Sequence, residues 1–274
     1  MVSLITGSHG FIGKHLMEYL DGIGEKYIPY DLKVGLDIFD EWSLYMAVRE
    51  CDLVINLAGC TAVPVSYKIP YQYYKVNTEG AARVFRAATE FRKKVIHAST
   101  GEVYTRNSPY AASKIGAEAI ADAEGIVNGA DIVCLRFLNP YGVGQPNSYV
   151  IPLFVKRGLS GKPFTIHGEG TQRKDYVYVT DLASAIWVAK DLPASSRVDV
   201  GCGKTSSINE IASIIEKHLG KEIEREHIPG IPRPGEIKDL KGDIKPLLDL
   251  GWQPRVSLED GIYKVIEDIR RQND

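Results

Sequence analysis

Cysteine is scarce in this sequence, and its few copies are spread widely. Four cysteines occur among 274 residues, at Cys51, Cys60, Cys134 and Cys202. Their spacing excludes the paired CxxC pattern of a zinc site, and a secreted disulfide scaffold needs a much higher density. We therefore expect free thiols in a reducing cytoplasm, and no metal site.

Long hydrophobic runs and an excess of one charge are also missing. The residues Met1–Thr6 lack the basic region and apolar stretch of a signal peptide, and no later stretch approaches a membrane span. The formal net charge is −2 and the pI is about 6.3. This balance favours neither nucleic acid nor a membrane surface, so a small molecule is the expected partner.

The apolar residues that are present alternate between two periodicities. Hydrophobic residues make up 44% of the chain, which is enough to bury one large domain or two unequal ones. Short apolar runs predict strands at Val2–Thr6, Lys26–Asp31, Asp52–Leu57, Lys94–Ser99 and Asp131–Phe137. Three- and four-residue spacing predicts helices at Phe11–Leu20, Glu41–Arg49, Tyr71–Phe91 and Ser113–Glu124. This alternation indicates an α/β fold with a doubly wound parallel sheet of the Rossmann type.

After Asn139 the pattern changes to helices with fewer strands and with Gly- and Pro-rich loops. We predict a dinucleotide-binding domain over residues 1–145, with residues 175–200 crossing back to it. Residues 146–274 then form most of a smaller C-terminal α/β domain that binds the substrate.

A glycine pattern follows the first predicted strand directly. Gly7, Gly10 and Gly13 lie between that strand and the next helix, where glycines allow a tight turn, close approach of a pyrophosphate, and close packing of helix and strand. The N-terminus of the helix attracts an anion. A plain strand-to-helix turn is the alternative if the motif stands alone.

An acidic residue stands about twenty positions beyond the glycines, where the ribose of a dinucleotide would lie. Asp31 ends the second predicted strand. Its carboxylate would accept both ribose hydroxyls and repel a 2′-phosphate, which favours NAD over NADP. The alternative is a solvated Asp at the end of a strand.

A tyrosine and a lysine lie four residues apart at the start of a predicted helix. Tyr110 and Lys114 therefore share one helix face. A phenol ordinarily loses its proton near pH ~10, but a neighbouring ammonium and an oxidised nicotinamide both stabilise the phenolate. Tyr110 is thus a candidate base, although a lone YxxxK match is more often a surface pair.

With these motifs, the sequence resembles the extended short-chain dehydrogenase/reductase family, and in particular its NAD-dependent nucleotide-sugar epimerases, dehydratases and decarboxylases. The likeness covers nearly the whole length. Further segments that carry it are Asp37–Ile38, Asn56–Gly59, Val76–Gly80, Ala98–Tyr104, Arg136–Gly142, Arg173–Asp181, Arg233–Glu236 and Leu250–Pro254.

The resemblance implies a role for many residues. Tyr110 takes the proton of a sugar hydroxyl, usually at C4, while Lys114 holds the nicotinamide ribose and Thr100 binds the same hydroxyl. Asn139, Lys174 and Arg233 correspond to contacts with the sugar nucleotide. The residues expected at NAD are Gly7, Gly10, Phe11, Ile12, Gly13, Asp31, Leu32, Asp37, Ile38, Leu57, Ala58, Gly59, Asn77, Ser99, Tyr110 and Lys114. A homodimer is implied as well, through the helices Tyr71–Phe91 and Ser113–Glu124.

Several of these positions have a plainer interpretation that the sequence leaves open. The hydroxyl of Thr100 could cap its own turn, Arg233 could be a solvated loop residue, and Glu102 could face a helix N-terminus. The sequence also departs from the family pattern. Lys174 replaces an arginine, with Arg173 one place early and, on a strand, facing the other way. Only residues 105–109 separate Tyr104 from Tyr110, which predicts an open sugar pocket.

The second reaction step depends on the residues that follow Thr100. Gly101 replaces the Asp of common 4,6-dehydratases, and Glu102 remains. We predict a UDP-sugar 4-epimerase with NAD as cofactor. A dehydratase or a uronic-acid decarboxylase that uses Glu102 is the direct alternative. A catalytically silent NAD-binding regulatory protein is a third possibility, because fold alone does not fix function.

Overall fold

A computed structural model describes residues 1–229 and 237–273 of the chain. The strands in this part are β1 (Val2–Thr6), β2 (Lys26–Tyr30), β3 (Leu53–Asn56), β4 (Lys94–Thr100), β5 (Ile132–Phe137), β6 (Asn139–Tyr141), β7 (Phe164–His167), β8 (Arg173–Tyr178), β9 (Arg197–Val200), β10 (Thr205–Ser207), β11 (Arg225–Ile228) and β12 (Asp239–Leu240). The α-helices are α1 (Phe11–Gly22), α2 (Glu41–Arg49), α3 (Val63–Ser66), α4 (Pro70–Tyr73), α5 (Gly80–Glu90), α6 (Pro109–Asn128), α7 (Val150–Leu159), α8 (Val179–Val188), α9 (Ile208–Leu219), α10 (Lys245–Asp249) and α11 (Leu258–Asn273).

The main sheet has the strand order β2-β1-β3-β4-β5-β9, and all neighbouring strands are parallel. The direction of winding reverses at β1, because β2 lies on one side of it and β3 on the other. In such sheets the ligand binds at the carboxyl ends of the strands, where the order reverses. The prediction of a doubly wound parallel α/β sheet is confirmed.

Both faces of this sheet are covered by helices. One core lies under α1 and α8, with Leu16 and Ile186 fully buried, and the other lies under α2, α5 and α6, with Phe85 and Ala117 fully buried. Trp252, near the end of the chain, belongs to the first core. The chain therefore returns to the part built on the main sheet after it has formed the C-terminal part.

The smaller C-terminal part has a mixed sheet, in which β8 pairs with β6, β10 and β12, and a parallel pair of β7 and β11. Helices α7, α9 and α11 cover a third core, in which Phe154, Ile215 and Ile266 are buried. The short strands β6, β10 and β12 escaped the sequence analysis, because apolar periodicity needs a longer window. A domain limit at residue 145 remains our proposal.

The predicted helix Tyr71–Phe91 is confirmed as an unbroken helical segment, but it contains a π-turn that the sequence did not predict. The structure has α4, then a π-helix over Tyr74–Glu79, then α5. A π-turn adds a residue to the helix and often marks a functional site. Here it carries Asn77, which is buried and reaches the loop after β3. This contact is tertiary and leaves no trace in local periodicity.

Candidate active site

The turn between β1 and α1 leaves no room for side chains. Gly7 has a φ of +71°, in the left-handed region that favours glycine. A Cβ on Gly7 would lie 2.7 Å from the Ala58 nitrogen, and one on Gly13 would lie 2.4 Å from the Gly7 oxygen. Gly10 precedes α1 without a capping side chain, and the first helical turn, which starts with Phe11 and Ile12, contains no acidic residue. This helix N-terminus fits the pyrophosphate of a dinucleotide.

Asp31 lies beside the glycine turn, at the end of β2. Its carboxylate accepts hydrogen bonds from the His9 nitrogen at 3.0 Å and the Lys33 nitrogen at 2.9 Å. The Lys33 ammonium donates to the His9 carbonyl oxygen at 2.9 Å. The carboxylate is therefore held in a defined place where a ribose would follow the pyrophosphate. The sequence analysis, which argued for NAD from the charge of Asp31, did not consider Lys33.

The other residues predicted near the adenine differ in their surroundings. Leu32 is 71% exposed, whereas Ile38 is buried, and a Cβ on Gly80 would lie 2.6 Å from its Cδ1. The carboxylate of Asp37 accepts from the Phe39 nitrogen at 3.0 Å. The Ile38 side chain thus belongs to the core, which leaves its backbone to face a ligand.

The loop after β3 faces the glycine turn. Leu57 and Ala58 pack against Gly7, and Gly59 leaves room for Asn77 and Lys114, since a Cβ there would lie 3.0 Å from Asn77 Oδ1 and 3.4 Å from Lys114 Nζ. The Asn77 amide accepts from the Cys60 nitrogen at 2.7 Å and donates to its oxygen at 3.0 Å. Asn77 therefore shapes this loop.

Tyr110, Lys114 and Thr100 meet at the carboxyl end of β4. The side chain of Thr100 lies close enough to the phenol of Tyr110 to lower its pKa. Lys114 is 5% exposed, and its ammonium donates to the Ala98 oxygen at 2.7 Å. Burial lowers the pKa of Lys114 to about 8. Burial raises the pKa of Tyr110, and the Thr100 side chain offsets only part of that rise. The lower phenol pKa expected from the sequence is thus not a property of the protein alone.

The turn after Thr100 is a 3-10 helix, Gly101–Tyr104. Thr100 Oγ1 also accepts from the Glu102 nitrogen at 3.2 Å, so the hydroxyl caps its own turn while it contacts Tyr110. The Glu102 carboxylate accepts from the Thr105 hydroxyl at 3.1 Å, and its charge acts on Tyr110. The carboxylate of Glu102 is therefore within electrostatic range of the Tyr110 phenol. Gly101 packs inward, because a Cβ there would lie 3.2 Å from Leu138 Cδ1.

The residues predicted to bind substrate lie on β6 and β8. Asn139 donates to the Asp175 oxygen at 3.2 Å, and the Lys174 ammonium donates to the Ile237 oxygen at 3.3 Å. Arg173 pairs with Glu210 at 2.6 Å. Its side chain thus points away from that of Lys174, as the alternation of side chains along a strand predicts. Arg233 lies outside the described residues.

A family model described as "NAD dependent epimerase/dehydratase family" matches residues 3–201. The chain belongs to this family. It is accordingly an NAD-dependent enzyme of the epimerase/dehydratase type, which confirms the predicted family, class and cofactor. Its glycine turn, Asp31 and the pair of Tyr110 and Lys114 all lie within the matched segment.

Relatives within this epimerase/dehydratase family match nearly full length. A UDP-glucuronate 4-epimerase of Thermodesulfobacterium geofontis is 28% identical over 96% of this chain and 94% of its own. A UDP-N-acetyl-alpha-D-glucosaminuronate decarboxylase of Bacillus cytotoxicus is 28% identical over 99% of this chain and 98% of its own. The crystal structure of Thermus thermophilus UDP-glucose 4-epimerase with NAD superimposes with a TM-score of 0.88 at 28% identity, covering 98% and 99% of the two chains.

Two tyrosines of this epimerase/dehydratase site, Tyr73 and Tyr149, escaped the sequence analysis. The ring of Tyr73 meets the ring of Tyr110 edge-on at 6.1 Å, and its hydroxyl donates to the Ala62 oxygen at 2.9 Å. The Tyr149 hydroxyl donates to Thr61 Oγ1 at 3.2 Å. This contact joins the loop after β3 to the start of α7, and the Tyr149 phenol also raises the pKa of Tyr110. An aromatic residue at the end of a short helix or just before a helix carries no local signal of such a role.

In the part of the chain that the structure describes, no group of three metal-binding side chains comes together. None of the helices there is long and apolar enough to span a bilayer. The residues gathered at the carboxyl end of β4 are suited to proton transfer at Tyr110, beside the dinucleotide site.

Proposed function

We propose that the protein is a UDP-sugar 4-epimerase. The observation that carries the proposal is the meeting of Thr100, Tyr110 and Lys114 at the carboxyl end of β4, with Gly101 packed inward where a dehydratase would place an acid. The two 4-epimerases among the relatives support this choice. Bound NAD supplies the hydride acceptor at this site.

The chain's own residues supply the proton transfer and the orientation. Tyr110 takes the proton of the C4 hydroxyl, and Thr100 holds that hydroxyl through the same short network. Lys114, buried and fixed to Ala98, is a cation below pH about 8 and stabilises the phenolate of Tyr110 as the proton arrives. After the ketosugar turns over in the pocket, its C4 carbonyl presents the other face for the return of hydride, which sets the opposite configuration, and Tyr110 returns the proton to the C4 oxygen.

The diphosphate of the substrate would be bound from the second part of the chain. Lys174 lies on β8 and Asn139 on β6, which are paired strands. The role of Arg233 follows from the resemblance alone. An ammonium meets a phosphate as a point charge, whereas a guanidinium can bind it with two parallel hydrogen bonds. A weaker grip on the diphosphate than in relatives with arginine is part of the proposal.

A second candidate activity rests on Glu102. Its carboxylate is within electrostatic range of Tyr110, and a decarboxylase is among the near full-length relatives. A carboxylate there could take a proton from the ketosugar or steer the loss of water or carbon dioxide.

The deciding experiment is to incubate the purified protein with NAD and a panel of UDP-, dTDP- and GDP-sugars and to follow products by proton NMR and mass spectrometry. A new anomeric signal at unchanged mass is the expected result. Loss of 18 or 44 mass units, which are water and carbon dioxide, would instead establish the lyase activity. Tight NAD binding with no sugar oxidised would point to the silent regulatory protein.

We also propose that the protein is a homodimer in the cytoplasm. On α6, the outward side chains Ala112, Ala119, Ala123 and Ile126 are exposed and apolar, and Tyr71 on α4 is 83% exposed. Such a stripe suits a helix-to-helix contact between two copies. The free thiols of the four cysteines suit a reducing compartment. Sedimentation equilibrium would give the mass of the assembly.

A further inference from the structure

Glu118 lies one helical turn beyond Lys114, on the face of α6 that also carries Tyr110. Its side chain is 7% exposed. The carboxylate accepts from the Ser99 hydroxyl at 2.5 Å and from Arg136 Nε and Nη2 at 3.0 and 2.7 Å. Arg197 Nε lies 3.2 Å away. These partners belong to β4, β5 and β9, so one buried carboxylate binds the helix to three strands.

The same network continues to the turn after Thr100. Arg136 Nη1 donates to the Tyr104 hydroxyl at 3.0 Å, and the guanidinium lies 5.0 Å from the centre of the Tyr104 ring. The Tyr104 hydroxyl donates to Asp199 at 2.8 Å. Tyr104 ends the 3-10 helix that contains Glu102 and begins directly after Thr100. A continuous chain of charged hydrogen bonds thus joins the two segments that carry the reactive groups.

We propose that Glu118, Arg136 and Tyr104 are positioning residues, which fix the helix bearing Tyr110 and Lys114 against the turn bearing Thr100 and Glu102. The role rests on the proposed function, since it matters only if these groups act together on one substrate. The paired hydrogen bonds between a guanidinium and a carboxylate set both distance and angle. Only residues 105–109 connect the two segments directly.

Charge is essential to this arrangement. Burial alone would raise the pKa of Glu118, but the hydrogen bonds from Arg136 and Ser99 outweigh burial and hold that pKa below its usual value. Glu118 is therefore ionised throughout the working pH range. Glutamine at position 118 would keep the volume of the side chain but would lose the charged hydrogen bonds that fix its geometry. Its effect would therefore be on the position of the helix that bears Tyr110.

The first test compares E118Q with D122N. Asp122 lies one further turn along α6, pairs with Arg197 and is 43% exposed, so D122N is the matched control. A misplacement of about 1 Å in a catalytic group costs on the order of 100-fold in rate. We expect E118Q to lower kcat by about 10- to 100-fold, with KM and the Kd for NAD within about two-fold of wild type. D122N should change none of them by more than about two-fold.

The second test uses Y104F, which removes the hydroxyl of a half-exposed residue and folds even if E118Q does not. It should lower kcat by several fold, and the double variant should be no slower than E118Q, because residues in one network act non-additively. Amide hydrogen exchange over residues 100–104 should quicken in both single variants. Wild-type kcat in Y104F, or losses that multiply in the double variant, would overturn the inference.

These measurements separate the inference from the proposed function. If the wild-type protein converts no sugar, the proposed function fails, while exchange over residues 100–104 still reports whether Glu118 on another element holds that turn. If the wild type is active and both variants match it, the positioning role alone is wrong.

Discussion

Replacing Gly13 with alanine should damage the dinucleotide site more than a single methyl group suggests. The new Cβ would lie 2.4 Å from the Gly7 oxygen and 2.5 Å from the Ser8 oxygen. Both are backbone atoms of the turn, so neither can rotate away. Ordinary contact begins near 3.4 Å, and α1 must therefore move by about 1 Å from β1. Overpacking of this kind costs about 1–3 kcal/mol of stability.

The same movement displaces the helix N-terminus from the pyrophosphate. Losing one or two hydrogen bonds to a charged ligand, at about 1.5–3 kcal/mol in all, corresponds to a Kd for NAD that is about 10- to 100-fold higher. Gly22→Ala is the matched control: it makes the same change at the last residue of α1, where a Cβ meets nothing within 4 Å. Alanine there should stabilise the helix by up to about 1 kcal/mol. Calorimetric titration with NAD and thermal unfolding measure both quantities. Wild-type affinity in Gly13→Ala, or equal loss in Gly22→Ala, would refute the steric argument.

Two further predictions concern charged residues of the site. The pKa of Lys114 is about 8 in the folded protein, whereas an unfolded lysine has a pKa of about 10.4. Between these two pH values the unfolded state binds the extra proton, so the free energy of unfolding of the wild type should rise with pH relative to that of Lys114→Met. Urea unfolding should show a rise of at most roughly 3 kcal/mol. Parallel pH curves for the two proteins would contradict the buried ammonium. Lys174→Ala should raise KM for the nucleotide sugar about ten-fold or more, whereas Arg173→Ala, whose guanidinium pairs with Glu210 at the surface, should leave KM within about two-fold. Steady-state kinetics on both variants would expose a reversed order.

The parts of the site that depend on neighbours in sequence were predictable. Gly7, Gly10 and Gly13 act within one turn, and the spacing of Tyr110 and Lys114 places both on one helix face whatever lies around them. Strand alternation likewise separates Lys174 from Arg173. In each case the local repeat, two residues in a strand and three to four in a helix, determines where a side chain points.

The parts that depend on distant contacts were not predictable. Asn77 reaches Cys60 through a π-turn, and the hydroxyl of Ser99 donates to Glu118 on a distant helix. The pKa of Tyr110 shows the same limit. The sequence indicates the neighbouring cation that would lower it, but burial, which raises it, arises from tertiary packing such as that of the Tyr73 ring against the Tyr110 ring.

The position of Glu102 bears directly on the choice of reaction. Its carboxylate contacts the Thr105 hydroxyl, and its charge adds to the effect of burial in raising the pKa of Tyr110, which leaves less phenolate available to accept the sugar proton. An epimerase loses nothing by giving up that charge, so Glu102→Gln should keep epimerisation within about three-fold of wild type or improve it on the acidic side. A lyase needs the carboxylate and should lose about 100-fold or more. Initial rates from pH 6 to 9, with product masses recorded, separate the two cases. A large loss of activity at unchanged product mass would contradict both accounts of Glu102.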